Sequence, residues 1–315
     1  TAYQLPLHKT RVEIPPCNRP GLPPVILTWA DKDSLKAFTD DVAALKAKCD
    51  YVVASCHWGL HQDVLDYMPQ IAHAAIDAGA DVVIVDRNVG GLAATAADIA
   101  ALGRRALPFT CDLADLAQVD RLWATVDAEF GRVDCLGNVA GDAKAGPPET
   151  ATIEDLQFTL QCLVVSKFFM CQHAGKRMLA RGRGSIINIG SLASVSALGR
   201  GHAFYSMGMG AVVQMTRELS TEWASGGVRV NAILPAQVVN PGLQARMDAD
   251  PALRDRFLMG IPAGRLGHPS DIKGLSIFLA SDASPWITGA IIPMDGGNLA
   301  MNGGGSVRPP QLARV

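Results

Sequence analysis

The stretch DVVIV at residues 81–85 is the segment from which the fold is inferred. After its first residue it is an unbroken apolar run, which is typical of a parallel strand buried on both faces. Further strands are predicted at 106–110, 135–138, 185–189, 229–234 and 291–294, and they alternate with helices predicted at 92–102, 116–130, 153–181, 205–224 and 270–280. Because consecutive parallel strands need a crossover helix, this alternation predicts an α/β fold with a doubly wound parallel sheet.

The segments that flank this alternation differ in composition. The proline-rich segment at 1–24 predicts an extended arm, followed by a strand at 25–29, a helix at 33–48, a strand at 51–55 and a helix at 69–78. The glycine-rich end of the chain predicts a flexible tail. We therefore expect an N-terminal strand–helix extension over 1–49, one domain over 50–302 and the tail over 303–315.

Charge and hydropathy exclude several classes of protein. The chain of 315 residues has 18% charged residues and a formal net charge of -2, which argues against a nucleic-acid partner because such proteins usually present a basic surface. No apolar run approaches the ~20 residues of a membrane-spanning helix, and the start lacks the apolar core of a signal peptide. The 7 cysteines are scattered without a CxxC pair, as expected of free thiols, so a cytoplasmic location is predicted.

Ordered motifs across the predicted domain carry a resemblance to a known family. They are CDL at 111–113, NVAG at 138–141, INIGS at 187–191, RVNAILPA at 229–236 and ITGAIIPMDGG at 287–297, with Ser191 preceding Tyr205. On these motifs, residues 78–302 closely resemble the short-chain dehydrogenase/reductase family. The resemblance implies a Rossmann-type domain and an NAD-linked enzyme that interconverts a hydroxyl and a carbonyl group of a small-molecule substrate. It also implies a homodimer or homotetramer formed through the helices at 153–181 and 205–224.

The same resemblance implies the residues of the site. Ser191 would orient the substrate oxygen and Tyr205 would exchange its proton, so these two are the expected catalytic residues. Asp86 would accept hydrogen bonds from the adenosine ribose and repel a 2′-phosphate, which favours NAD over NADP. The expected cofactor contacts are Asp86, Asp112, Leu113, Asn138, Ala140, Gly141, Ile189 and Pro235.

Three departures from the family's pattern bear on its chemistry. Met209 stands at the position of a lysine that binds the nicotinamide ribose and lowers the pKa of the catalytic tyrosine, and a free tyrosine has a pKa of about 10. Leu163 stands at the position of an asparagine that relays protons. The loop at 55–70 holds Gly59 alone, where the family has a glycine-rich turn that lets backbone N–H groups approach the pyrophosphate. Cofactor binding is therefore expected to be weakened or rearranged.

Three polar residues near these motifs are further candidates. Lys167 lies one helical turn beyond Leu163 and would place a cation near Tyr205, but a lysine at the surface or a subunit interface is the preferred interpretation. Arg200 and His202 precede the tyrosine on an expected substrate-side loop. His202 is interpreted either as an alternative acid or base or as a solvated loop histidine.

The segment at 9–85 has a second resemblance, to the CapA-type poly-γ-glutamate synthesis family, whose HWG signature matches residues 57–59. The chain thus resembles a fusion across a shared strand, because AGADVVIV at 78–85 fits both families. A metal site would draw on Cys56, His57, His61 and Asp63, but the further ligands that two-metal chemistry requires are missing. We therefore expect no metal, and we expect this fragment to donate the first strand and helix of the Rossmann sheet.

Three functions remain open on the sequence. The first is an oxidoreductase of the type just described, with an atypical active site. The second is a binding or regulatory protein that retains the fold without redox activity. The third is an enzyme that uses Ser191 and Tyr205 without a nicotinamide, for example in elimination or hydration. The retained cofactor motifs favour the first.

Overall fold

The structure, a computed structural model, describes residues 81–101 and 105–301. The chain divides into two compact units, and the larger consists of Val83–Asp98, Leu107–Ala280 and Ser284–Val315. In the smaller unit, the Val82 N–H donates to the Arg105 carbonyl over 2.9 Å. The elements predicted before residue 80, the loop at 55–70, the tail at 303–315 and the four candidate metal ligands lie outside the described residues.

The first described elements are a strand–helix–strand unit. β1 (Val82–Asp86) is joined by α1 (Val89–Ala101) to β2 (Ala106–Thr110), and the two strands pair with each other. β1 is half-buried, whereas its apolar run predicted a strand buried on both faces. Val83 and Val85, which share one face of the strand, pack against a buried apolar cluster that includes Val119, Leu122 and Val230.

A four-stranded parallel sheet forms the centre of the larger unit. Its strands, in spatial order, are β3 (Cys135–Asn138), β4 (Gly184–Ile189), β5 (Val228–Pro235) and β6 (Ile291–Met294). The register aligns Asn138 with Asn188, Asn188 with Ala232 and Ala232 with Ile291. The carboxyl ends of β3, β4 and β5 therefore meet at one edge. The predicted α/β fold with a parallel sheet is confirmed.

Helices pack on this sheet close to the predicted positions. α2 (Leu116–Phe130) begins at Asp115, whose side chain accepts hydrogen bonds from two N–H groups of the first turn. α5 (Ala203–Trp223) precedes β5, and it packs against a 3-10 turn, Leu192–Ser194. No helix within the described residues combines the length and apolar character that crossing a bilayer requires.

The long helix predicted at 153–181 is interrupted. α3 (Ile153–Leu160) and α4 (Ser166–Arg181) are separated by a π-helical segment, Gln161–Val165, that contains Leu163. A π segment is one wider turn within a helix, so it leaves little trace in a pattern of period 3.6. Such segments are frequent at functional sites.

The sequence predicted no helix between 234 and 270, and the structure shows that this is wrong. α6 (Pro241–Ala249) and α7 (Ala252–Leu258) form there, and α8 (Lys273–Ala280) begins after a 3-10 turn, Pro269–Ile272. The two short helices pack around a separate apolar cluster of Met247, Leu253, Phe257, Ile261 and Leu266. The sequence of α6, PGLQARMDA, has no apolar stripe, so periodicity could not reveal it.

Candidate active site

Ser191 lies two residues after the end of β4 and is buried, with 8% of its surface exposed. It caps the 3-10 turn Leu192–Ser194: its Oγ accepts from the Ala193 N–H over 3.2 Å, and its own N–H donates to Ser194 Oγ over 3.1 Å. The hydroxyl proton of Ser191 makes no bond to any described residue. It is therefore available to a substrate oxygen.

Tyr205 lies in the first turn of α5, half-buried beside the ring of His202, with a centroid separation of 6.1 Å. Its hydroxyl forms no hydrogen bond within the described part of the chain. The structure places Ser191 and Tyr205 on elements that pack together, because the 3-10 turn capped by Ser191 lies against α5. It shows no direct bond between the two hydroxyls.

The loop before Tyr205 has an unusual backbone. Gly199, Arg200 and Gly201 are consecutive residues with positive φ, at 64°, 55° and 73°. At Gly201 a Cβ would fall 2.7 Å from the Gly146 carbonyl oxygen, so a side chain is excluded there. His202 Nδ1 lies 2.9 Å from the carbonyls of both Gly199 and Arg200, so Nδ1 must carry a proton. In the neutral ring, Nε2 is then the acceptor.

Met209 and Leu163, the two apolar replacements, are both buried. Leu163 Cδ1 lies 3.0 Å from the point that a Cβ on Gly208 would occupy, and Cδ2 lies 2.6 Å from the corresponding point on Gly141. Leu163 thus fills the space between the turn after β3 and α5. Gly141, expected to contact the cofactor, also has a packing reason to lack a side chain.

Lys167 was expected at the surface, and the structure contradicts this: only 1% of it is exposed. Its Nζ donates to the carbonyls of Asn138 and Val139, each over 2.9 Å. Burial lowers the pKa of Lys167 to about 8. The aliphatic part of a lysine resembles any helix-core residue in a sequence pattern, so only the packing reveals where its ammonium lies.

Asn138 belongs to a buried polar network that joins two strands and two helices. Its Nδ2 donates to the Lys167 carbonyl over 2.9 Å and to Asn188 Oδ1 over 3.1 Å. Asn188 Nδ2 donates to Thr216 Oγ1 over 3.0 Å, and Cys171 lies 3.4 Å from both asparagine side chains. Burial raises the pKa of the Cys171 thiol to about 12. Asn138 thus has a structural role besides the cofactor contact expected of it.

Asp86 ends β1 in an exposed position. Its Oδ1 accepts the Asn88 N–H over 2.8 Å, and Oδ2 has no partner among the described residues. The next residue, Arg87, was not among the predicted site residues, although its position beside Asp86 could have indicated that it lies at the cofactor site. Its guanidinium lies 3.9 Å from Asp112 and 3.5 Å from Asp142, and 60% of the side chain is exposed. A cation therefore stands at the same edge as the carboxylate.

The remaining expected contacts lie at the carboxyl edge of the strands. Leu113, Ala140, Ile189 and Pro235 are half-buried, and Gly141 is exposed. Val139 leaves 64% of its surface open at the same edge. An exposed carboxylate, an apolar surface and strand carboxyl ends are the groups that a dinucleotide contacts in doubly wound sheets, so the described residues fit such a cofactor.

Comparisons with known proteins support this interpretation. A family model described as enoyl-(acyl carrier protein) reductase matches residues 69–298, and a bacterial capsule synthesis family, PGA_cap, matches 7–87. The chain belongs to the short-chain dehydrogenase/reductase family. The two matches overlap in the segment that contains β1, as the predicted fusion requires.

Three relatives illustrate the similarity. The chain is 39% identical to D-threitol dehydrogenase of Mycolicibacterium smegmatis, over 72% of this chain and 86% of that protein. It is 35% identical to an inactive 2-(S)-hydroxypropyl-CoM dehydrogenase of Xanthobacter autotrophicus, over 73% of this chain and 100% of that protein. A crystal structure of a gluconate 5-dehydrogenase from Burkholderia cenocepacia, in complex with NADP and tartrate, superposes with a TM-score of 0.67 at 32% identity, covering 73% of this chain and 90% of that one.

The contact between Leu163 and Gly141 can be tested by a double-mutant cycle. Gly141→Ala should lower the free energy of unfolding by about 1–3 kcal/mol, because the new Cβ would crowd Leu163. In a Leu163→Ala background the same change should have little effect, giving a coupling energy of about 0.5–3 kcal/mol in denaturant unfolding. Gly137→Ala, where a Cβ meets nothing within 4 Å, is the control. Zero coupling would show that Leu163 does not constrain Gly141.

Proposed function

We propose that the chain is an NAD-linked oxidoreductase that interconverts a hydroxyl and a carbonyl group with an atypical active site. The observation that supports this most directly is the pair of uncommitted hydroxyls, Ser191 and Tyr205, on packed elements at the carboxyl edge of the sheet. The family membership supplies the reaction class. Met209, Leu163 and the glycine-poor loop at 55–70 make the site atypical.

The two side chains divide the work at the substrate oxygen. Ser191 donates its hydroxyl proton to that oxygen and holds it in place. Tyr205 gives a proton to the oxygen when a carbonyl is reduced and takes one when an alcohol is oxidised, as a general acid or base. A bound nicotinamide supplies hydride transfer. Because Ser191 is held by its bonds to the 3-10 turn, the substrate oxygen meets a fixed donor.

The relatives suggest the class of substrate. D-threitol dehydrogenase and gluconate 5-dehydrogenase carry names of small polyhydroxylated compounds. We therefore propose a small polyol or sugar acid as the substrate, and a panel of such compounds with their keto forms is the first to assay. Titration with NADH and NADPH, followed by fluorescence and calorimetry, comes before turnover. No binding of either cofactor at millimolar concentration would overturn the proposal.

Tyr205→Phe should lower turnover strongly while leaving the fold intact. Because the hydroxyl has no bond to the described residues, the midpoint of thermal unfolding should not change, whereas kcat should fall by about 10²–10⁴-fold. Met209→Lys should raise turnover in both directions, because it places a cation beside the expected general acid or base. Gln214→Lys, at an exposed polar position on the same helix, is the control. Unchanged turnover in Tyr205→Phe would refute its role.

A protein without redox activity is the alternative that the apolar environment of Met209 favours. In that case NADH binds, but neither the polyol panel nor Met209→Lys yields turnover. Binding of substrate-like compounds in the absence of any nicotinamide, with chemistry that depends on Ser191 and Tyr205, would favour elimination or hydration instead.

Asp86 and Arg87 should set the choice between the two nicotinamide cofactors. We propose NAD as the cofactor, bound with an affinity limited by the glycine-poor loop, because the Asp86 carboxylate repels a 2′-phosphate. Asp86→Ser should improve NADPH binding by about tenfold and weaken NADH binding. Arg87→Ala should weaken NADPH alone. A wild-type protein that binds NADPH more tightly than NADH would contradict this assignment.

We propose a cytoplasmic homodimer or homotetramer, formed through the interrupted helix and α5. Those elements expose Phe158, Val165, Phe168, Leu179 and Met207. Light scattering should show an oligomer that Phe168→Glu dissociates, since the new charge would be buried at the interface. Val89→Glu, at an exposed position on α1, should leave it intact. A monomeric wild-type protein would refute the proposal.

The organisation of the chain also stays a prediction. We propose that residues 1–49 form an N-terminal extension to a domain over 50–302, with a tail at 303–315 and no bound metal.

A further inference from the structure

Lys167 is a buried charge that the proposed chemistry does not use. It is 1% exposed on α4, one helical turn beyond Leu163. Its Nζ is bonded to the carbonyls of Asn138 and Val139, at the point where β3 ends and the turn at 138–141 begins. That turn holds three of the expected cofactor contacts, and its Val139 side chain is exposed at the edge of the sheet.

The bonds between Lys167 and Asn138 run in both directions. Lys167 Nζ donates to the Asn138 carbonyl, and Asn138 Nδ2 donates to the Lys167 carbonyl, each over 2.9 Å. Together with the bond to Val139, they fix two successive peptide units of the turn to α4. Lys167 Cε also lies 3.8 Å from the point that a Cβ on Gly141 would occupy. The ammonium therefore lies directly behind the turn.

This ammonium has no counter-charge among the described residues. Those residues provide two acceptors for its three N–H donors, and both acceptors are neutral carbonyls. Burying a charge without a counter-charge destabilises the folded state, so a methionine or leucine would normally be more stable at this place. The positive charge is retained at the edge of the sheet where an anionic dinucleotide would bind.

We propose that Lys167 is the positioning cation of the cofactor site. It orients the turn at 138–141 through the hydrogen bonds that it donates to the Asn138 and Val139 carbonyls. It also supplies a positive charge, which the family's lysine would supply from position 209. This buried cation would thus come from α4, whereas the family's pattern has a lysine on α5. Because Lys167 is enclosed, it acts through the turn and through its field, and it does not touch the ligand. This inference rests on the proposed binding of a nicotinamide dinucleotide.

The charge of Lys167 should make cofactor affinity depend on pH. Its pKa is lowered to about 8, and a bound anion favours the protonated form. Affinity is therefore full below about pH 8 and falls as the pH rises from there toward the higher pKa of the complex. Among the described residues, the titratable group that interacts with Lys167 is the Cys171 thiol, which lies on the same helix, α4. The pKa of the Cys171 thiol is about 12, so this thiol stays neutral in this pH range. The side chains of Asn138, Asn188 and Thr216, from β3, β4 and α5, carry no charge.

The experiment measures the dissociation constant of NADH from pH 7 to 9.5, by fluorescence, for the full chain and two variants. The wild-type protein should bind about tenfold more weakly at pH 9.5 than at pH 7, since one unit of pKa shift corresponds to that factor. Lys167→Met should bind weakly at every pH. Lys144→Met removes an exposed lysine that lies over the Phe158 ring, and it should behave as wild type.

Stability in the same pH range gives an independent readout. The folded chain should release the Lys167 proton near pH 8, whereas the unfolded chain keeps it to the ordinary value of 10.5. The free energy of unfolding, relative to Lys167→Met, should therefore rise with pH while affinity falls. If stability rises but NADH binding is independent of pH and of Lys167, the inference is wrong and the proposed function stands. If the wild-type protein binds neither NADH nor NADPH, the proposed function itself fails. If Lys167→Met does not fold, the wild-type pH series of NADH binding still decides.

Discussion

The contacts among Asn138, Lys167, Asn188 and Thr216 are the constraint on which the site depends. Polar atoms inside a protein must find partners, and here the partners come from two strands and two helices. Because each bond joins a different pair of elements, the network aligns the ends of β3 and β4 with α4 and α5. Ser191 lies two residues after β4, and Tyr205 lies in the first turn of α5. The network therefore helps to hold these two residues in place, although none of its side chains is one of the two hydroxyls.

The apolar replacements form a consistent set in this setting. Leu163 occupies the space between Gly141 and Gly208, and Met209 is buried on the adjoining helix. Replacing both partners of a polar contact by apolar groups is close to neutral for stability, whereas replacing one is costly. The side chains of Leu163 and Lys167 both lie beside Gly141, so apolar packing and a buried ammonium adjoin the same turn. The π-helical segment that contains Leu163 lies directly before α4, the helix that carries Lys167.

The alternation of strands and helices was predicted well because buried parallel strands and long helices leave clear patterns. α2 and β3 occur at the predicted residues. The helices α6 and α7 were missed because they are short and pack on a cluster of their own, so their apolar residues follow no single stripe. Lys167 was misplaced for a related reason. Lysine is almost always found at the surface. Only the packing of Lys167 against the turn after β3 shows that this side chain is enclosed.

The sequence by itself determined the fold class, the family, the candidates Ser191 and Tyr205, and the loss of the lysine and asparagine at positions 209 and 163. These follow from residue identity and spacing, which are local properties of the chain. Tertiary structure alone decided which polar groups are enclosed, that Leu163 bridges two glycines, and that an ammonium lies behind the turn at 138–141. Those facts depend on contacts between residues far apart in the chain, and burial then sets the free energy of each charge.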